Sequence, residues 1–462
     1  MNRDVLLRAA LTFVMTASLL ACGGGDLDFD GDGNAASASL PSTLQQYAVS
    51  GSINGLTPGA TVTLQDNGSD DLARTANGAF TFSKSVPAGS AYGVTVLAQP
   101  LHEICSVTHG AGTASGPVTG VAVSCSAGPE FVYVANVGSN DVSAYRIDAA
   151  TGALAPVSGS PFPGGRGPYA ITTNVGGTLA FAANVNDDTV SVYRIDSATG
   201  ALAQVPGSPF PAGTNPQAVA VSAAGTFVYV ANNGGNISAY GVDPVTGALT
   251  PVSGSPFAAG TGPDSVAVNA AGTFAFVANQ GSNDVSVYRI GAGGALTPVP
   301  GSPFAAGNSP ISIALDAAGT LAYVANVGDG TVSAYLIDPT TGALTPVAGS
   351  PFVAGSGPNS VAVSPAGTFA YVADNGNNAV SAYHIDATTG ALTPVAGSPF
   401  AAGNLAISIA LDPSATFAYV SNVGDNTVSA YRVDATTGAL APVTGSPFLA
   451  GTSPQSVAVA QP

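Results

Sequence analysis

Seven positions in this chain carry unlike side chains inside a repeat whose other positions barely change: Tyr169, Gln217, Asp264, Ile311, Asn359, Ile407 and Gln455. Each follows the Pro of a Gly-x-x-Pro segment, or Ala406 standing in its place. Variation confined to one slot on a uniform scaffold is what ligand reading requires, although drift at an exposed position gives the same pattern. Asp264 is the only carboxylate in the slot and is a candidate general base. Arg166 is the only basic residue in the segments leading into the seven positions. A second acidic series, Asp141, Asp187, Asp284, Asp329 and Asp425, recurs in turns that follow a "YVAN" element. Carboxylates gathered on one rim would suit Ca²⁺; Asp is also a good hairpin residue, which accounts for the series without a metal. No other cofactor is expected.

Other reactive side chains are few. His384 occupies a slot that elsewhere holds Arg146, Arg194, Gly241, Arg289, Leu336 and Arg432. That tolerance reads as a solvated rim, yet any Ser-His-Asp arrangement in this region would have to use His384. His102 and His109 flank Cys105 and read as a polar loop, because two His without a free thiol make a poor zinc set. No G-x-S-x-G elbow and no HExxH sequence is present.

The elements that must position these residues repeat seven times from Phe131 onward. The aromatic of the "YVAN" element recurs as Tyr133, Phe181, Tyr229, Phe276, Tyr323, Tyr371 and Tyr419, at spacings of 48, 48, 47, 47, 48 and 48 residues. In the unit beginning at Ser360, "SVAV", "TFAYVAD", "AVSAYHID" and a weaker "ALTPVAGSPF" read as four β-strands, joined by "SPAG", "NGNN" and "DATTG" turns. Four short strands per unit of this length are the signature of a propeller blade. The repeat starts on a second strand, Phe131–Asn136, and ends on a lone first strand within Gln455–Pro462. Docking the last strand beside the first gives a ring with no free edge. The expected fold is all-β: a seven-bladed β-propeller at residues 128–462, closed by its C-terminal strand.

Composition sets the remaining boundaries. The 462 residues include only nine Lys and Arg against 26 Asp and Glu, for a formal charge of −17. So acidic a chain repels phosphate backbones, and no nucleic-acid partner is expected. Residues 1–22 read as an export signal, with "MNRDVLLR" followed by an apolar "AALTFVMTASLLA". Residues 23–45 read as an acidic, Gly- and Ser-rich tether. Within 46–127, strand-like runs and the dipeptides Asn67-Gly68 and Asn77-Gly78 predict a small β-sandwich. There are three cysteines in all: Cys22, and Cys105 and Cys125 within this segment.

Two resemblances extend this reading. "Leu-Leu-Ala-Cys" at Leu19–Cys22 resembles a bacterial lipobox, which implies lipid on Cys22, a membrane anchor and, with Gly at position 23, the outer membrane; with Cys22 so used, Cys105 and Cys125 are expected to pair as a staple of the sandwich. The repeat "YVAN…VSAYRIDxxTGALTPVxGSPFxxGxxPxxVAV" resembles the YVTN-type seven-bladed propeller lactonase family over about residues 131–462. That family includes 6-phosphogluconolactonases and carboxymuconate cyclases, whose enzymes carry His, Arg and acidic residues at the channel mouth. The matching slots here hold Gln, Asp, Asn, Ile and Tyr. The expectation is therefore a cell-envelope scaffold binding a glycan, a peptide or an envelope protein, with lactone hydrolysis at the channel mouth as the alternative.

Overall fold

The computed structural model describes residues 45–462. Cys22, the predicted leader and all but the last residue of the predicted tether lie outside the described residues. Among the described residues the only helical segment is a single 3₁₀ turn at Asn375–Asn377, and no helix is long and apolar enough to cross a membrane.

Seven sheets form the blades of a propeller. The second blade is representative. Its inner strand Pro168–Thr173 pairs with Leu179–Asn184, which pairs with Thr189–Ile195, which pairs with Leu202–Gln204. The outer strand is not the single run expected: a Gly-Ser-Pro turn splits it, and Phe210–Pro211 returns to Thr189–Ile195 farther along. Gly207 sits at φ +87° in that turn, and Ser208 Oγ accepts the Val192 N–H at 2.9 Å. The same split recurs in every blade.

The second strand of most blades is buried along its whole length, as in Leu179–Asn184. Both faces of a blade pack against neighbouring blades, so the strand reads as a continuous apolar run without polar alternation. Large and small residues alternate between faces: Phe131, Tyr133 and Ala135 of one blade lie against Ala180, Ala182 and Tyr193 of the next. Buried hydroxyls tie blades together. Tyr133, Tyr229, Tyr323 and Tyr371 donate to the carbonyls of Gly200, Gly294, Gly390 and Gly438 at 2.9–3.0 Å. Phe181 and Phe276 fill the same positions without that bond.

The ring closes as expected. Pro454–Ala460 pairs antiparallel with Phe131–Asn136, from Ser456 opposite Ala135 to Ala460 opposite Phe131. Blade 1 therefore combines the start and the end of the repeat region. Counting from it, the inner strands of blades 1 to 7 carry Gln455, Tyr169, Gln217, Asp264, Ile311, Asn359 and Ile407.

Ahead of the propeller, two four-stranded sheets enclose a core that includes Val49, Ile53, Phe80, Phe82 and Val123. Cys105 and Cys125 face each other across antiparallel strands and form the expected disulfide. Asn67-Gly68 makes the predicted hairpin, with both residues at positive φ. Asn77-Gly78 does not: it is a corner between the two sheets. There Asn77 Nδ2 donates to the Leu56 carbonyl and its Oδ1 accepts the Leu56 N–H.

Candidate active site at the channel mouth

The seven variable positions share one backbone device. In every blade the inner strand shifts register at its second residue, between Pro168 and Ala170 in blade 2 and between Pro263 and Ser265 in blade 4. Tyr169, Asp264 and their five counterparts are thus the unpaired residue of a β-bulge. A bulge bends the strand and re-aims its extra side chain. Here it turns one residue per blade toward the axis, and all seven line a single cavity of about 120 Å³.

Beneath the bulge residues lies a girdle of hydroxyls. Ser456, Ser265, Ser312, Ser360 and Ser408 each accept a backbone N–H from the inner strand of the following blade at 3.2–3.4 Å. Ala170 and Ala218 hold the other two places. The inner strands that carry Gln217 and Asp264 are therefore the two not bolted to the preceding blade in this way.

Asp264 is the chemically distinctive member. The protein shell around its carboxylate desolvates it, and its pKa is pushed up to about 7. Tyr169 is raised to about 12, by burial first and by the charge of Asp264 second. At neutral pH the cavity thus offers a carboxylate near half-protonation and a phenol that keeps its proton as a donor. Gln217 donates from Nε2 to Asn215 Oδ1 at 2.5 Å. The Oε1 atoms of Gln217 and Gln455 are shielded from solvent and have no donor.

The remaining sequence candidates lie elsewhere. Arg166 is exposed on the approach loop and is not among the cavity-lining residues; its backbone N–H donates to Asp187 Oδ2 at 2.6 Å. Asp329 and Asp425 likewise accept backbone N–H groups from Asn308 and Asn404. Asp141 and Asp284 accept from the Nδ2 of Asn136 and Asn279 at 2.7 and 2.6 Å. Asp187, Asp329 and Asp425 thus each hold an entry loop, and Asp141 and Asp284 each hold their own hairpin. Among the described residues, the one close group of three metal-ligating side chains is Glu103, Cys105 and Cys125, where the two sulfurs are already joined to each other. His384 is exposed on a third strand and stands edge-on to the Phe369 ring at 5.8 Å. Arg289 and Arg432 cap Phe274 and Phe417 from the same slot at 4.8 Å, so His384 is a surface cover for a ring and not a mouth residue.

Sequence reasoning missed a second, larger cavity of about 790 Å³ where the sandwich meets the propeller. Glu130 and Asp412 line it together with Ile104, Arg146 and Phe417. Burial, and secondarily the charge of Asp412, pushes Glu130 up to about 7. No local motif announces the cleft, because its lining is assembled from segments as far apart as Ile104 and Gln461.

The family model described as "Lactonase, 7-bladed beta-propeller" matches residues 93–214 and 205–309. The chain carries a lactonase-type seven-bladed propeller. This lactonase-type propeller is similar to a putative 6-phosphogluconolactonase from Bacteroides uniformis at 19% identity and a TM-score of 0.62, over 72% of this chain and 99% of that one. The Bacteroides fragilis counterpart gives 20% identity and a TM-score of 0.63, over 72% and 98% of the two chains. A periplasmic gluconolactonase from Pseudomonas aeruginosa gives 19% and 0.62, over 72% and 99%. At these identities the shared property is the fold. No curated protein sequence matches the chain.

Proposed function

We propose that the propeller hydrolyses a neutral lactone at the mouth of its channel. The observation that carries this reading is Asp264, a carboxylate with its pKa raised to about 7, turned by a bulge into the cavity that all seven blades line. In its ionised form Asp264 takes a proton from a water molecule whose oxygen attacks the lactone carbonyl carbon. Tyr169 donates a hydrogen bond to the carbonyl oxygen as charge develops there. Collapse of the tetrahedral adduct breaks the ring C–O bond, the proton passes to the departing alkoxide, and a hydroxy acid results. Its new carboxylate is repelled by Asp264, which assists release. The chain's charge of −17 disfavours phosphorylated lactones.

The likeness to lactonase propellers supports hydrolysis over the binding scaffold expected from sequence. The test is turnover of neutral five- and six-membered lactones by the lipid-free protein. Turnover above buffer that falls about 10²–10⁴-fold in Asp264→Asn is expected. Rates equal to buffer, or an unchanged variant, overturn the proposal. We further propose that the protein is exported and held at the outer membrane by lipid on Cys22. Palmitate labelling that survives Cys22→Ser would refute that anchor.

A further inference from the structure

We propose that the lactone taken by this site bears hydroxyl groups along one edge and bare or alkyl-substituted carbons along the opposite edge, the chemistry of a neutral deoxy-sugar lactone. This rests on the hydrolase reading above.

The order of side chains around the ring carries the inference. Blades 1 to 4 present Gln455, Tyr169, Gln217 and Asp264 as one unbroken polar arc, and Ile311 and Ile407 stand opposite in blades 5 and 7. Asn359, between the two isoleucines, leaves that side one polar contact. The polar arc holds both donors and acceptors. Gln217 directs one of its two amide N–H groups to Asn215. The Oε1 atoms of Gln217 and Gln455 are both desolvated and unpaired. A ring hydroxyl set against this arc meets the Tyr169 phenol, the Asp264 carboxylate and the glutamine amides as hydrogen-bond partners. A hydroxyl placed against Ile311 or Ile407 would lose its water without gaining a partner. Size agrees: a mouth of about 120 Å³ seats a single ring.

The experiment compares kcat/KM for four six-membered lactones: an unsubstituted alkyl lactone, a fully hydroxylated sugar lactone, its 6-deoxy analogue and its 6-phosphate. The 6-deoxy compound is expected to lead the alkyl and fully hydroxylated lactones by about tenfold or more each, with the phosphate last. In Gln217→Leu and Gln455→Leu the lead over the alkyl lactone should collapse. Ile311→Asn and Ile407→Asn should favour the fully hydroxylated compound. An alkyl lactone turned over as fast as the deoxy compound, or a preference unmoved by all four variants, overturns the inference. Calorimetric binding of the matching lactams, which cannot turn over, separates the two proposals. No hydrolysis with the deoxy lactam bound best sinks the reaction and keeps the ligand class. No hydrolysis with no lactam preference sinks both.

Discussion

The hydroxyl of Tyr419 donates to the carbonyl of Gly152 at 3.1 Å, so the last complete blade is latched to the turn of the first across 267 residues of sequence. Gly152 has φ +78°, and a Cβ there would lie 2.3 Å from the Phe417 ring. Positive φ and close approach thus both require glycine at the acceptor, and they explain why the "DxxTG" turns end as they do.

Removing this latch should weaken the ring. Tyr419→Phe leaves the Gly152 carbonyl buried and unpaired, and a loss of about 1–2 kcal/mol is expected. Urea denaturation should show a lower midpoint. Phe181→Tyr, at a position that lacks the hydroxyl, is the reciprocal experiment and should not lower it.

Activity should depend on pH through Asp264. With its pKa raised to about 7, the base is protonated below neutrality and kcat/KM should rise with pH through about 7. Tyr169→Phe should lower kcat/KM by about tenfold or more. It should also move the inflection, because the phenol and the carboxylate share one desolvated space. A flat profile from pH 5 to 9 would remove Asp264 from the mechanism.

Asp374 stands where the other six blades have Asn. It is fully buried, and Oδ2 accepts from Ser381 N and Oγ at 3.1 and 2.6 Å. Burial, only partly offset by those bonds, raises its pKa to about 6. The folded state therefore holds this proton more tightly than the unfolded chain. Its carboxyl is unpenalised below about pH 4, costs stability progressively as pH rises toward 6, and costs a constant amount above. Asp374→Asn should stabilise the propeller by about 2–3 kcal/mol at pH 8 and by little at pH 4. Thermal unfolding at the two pH values checks both sign and size.

The Cys105–Cys125 bridge closes a short loop with a sequence separation of 20. The double variant Cys105→Ser/Cys125→Ser should cost the sandwich about 3 kcal/mol by chemical denaturation. Lactone turnover should be unchanged, since the bridge lies outside the mouth.

Much of the architecture was legible because a period of 47–48 residues repeats seven times and averages out local ambiguity. What escaped depended on pairing and not on composition. "ALTPVAGSPF" reads as one strand until its glycine takes positive φ and both halves return to the same neighbour. Asp70–Arg74 is too polar to register as a strand, and Ala111–Thr113 too short. Within the site, the seven slot residues were visible as variation, but the bulge that aims them was not, because a register shift exists only between two strands. The Ser girdle and its gap at Ala170 and Ala218 stayed hidden for the same reason.

The strand Pro454–Ala460 completes the blade that Phe131–Asn136 begins. A nascent chain leaving the ribosome therefore carries an unmatched strand through more than three hundred residues of synthesis before its partner is made. The intervening blades can form in order, but circular closure waits for Pro454–Ala460. A chain without Pro454–Ala460 would display an open edge of the kind that quality-control proteases and chaperones engage, which makes closure of the ring a molecular receipt for synthesis through that strand.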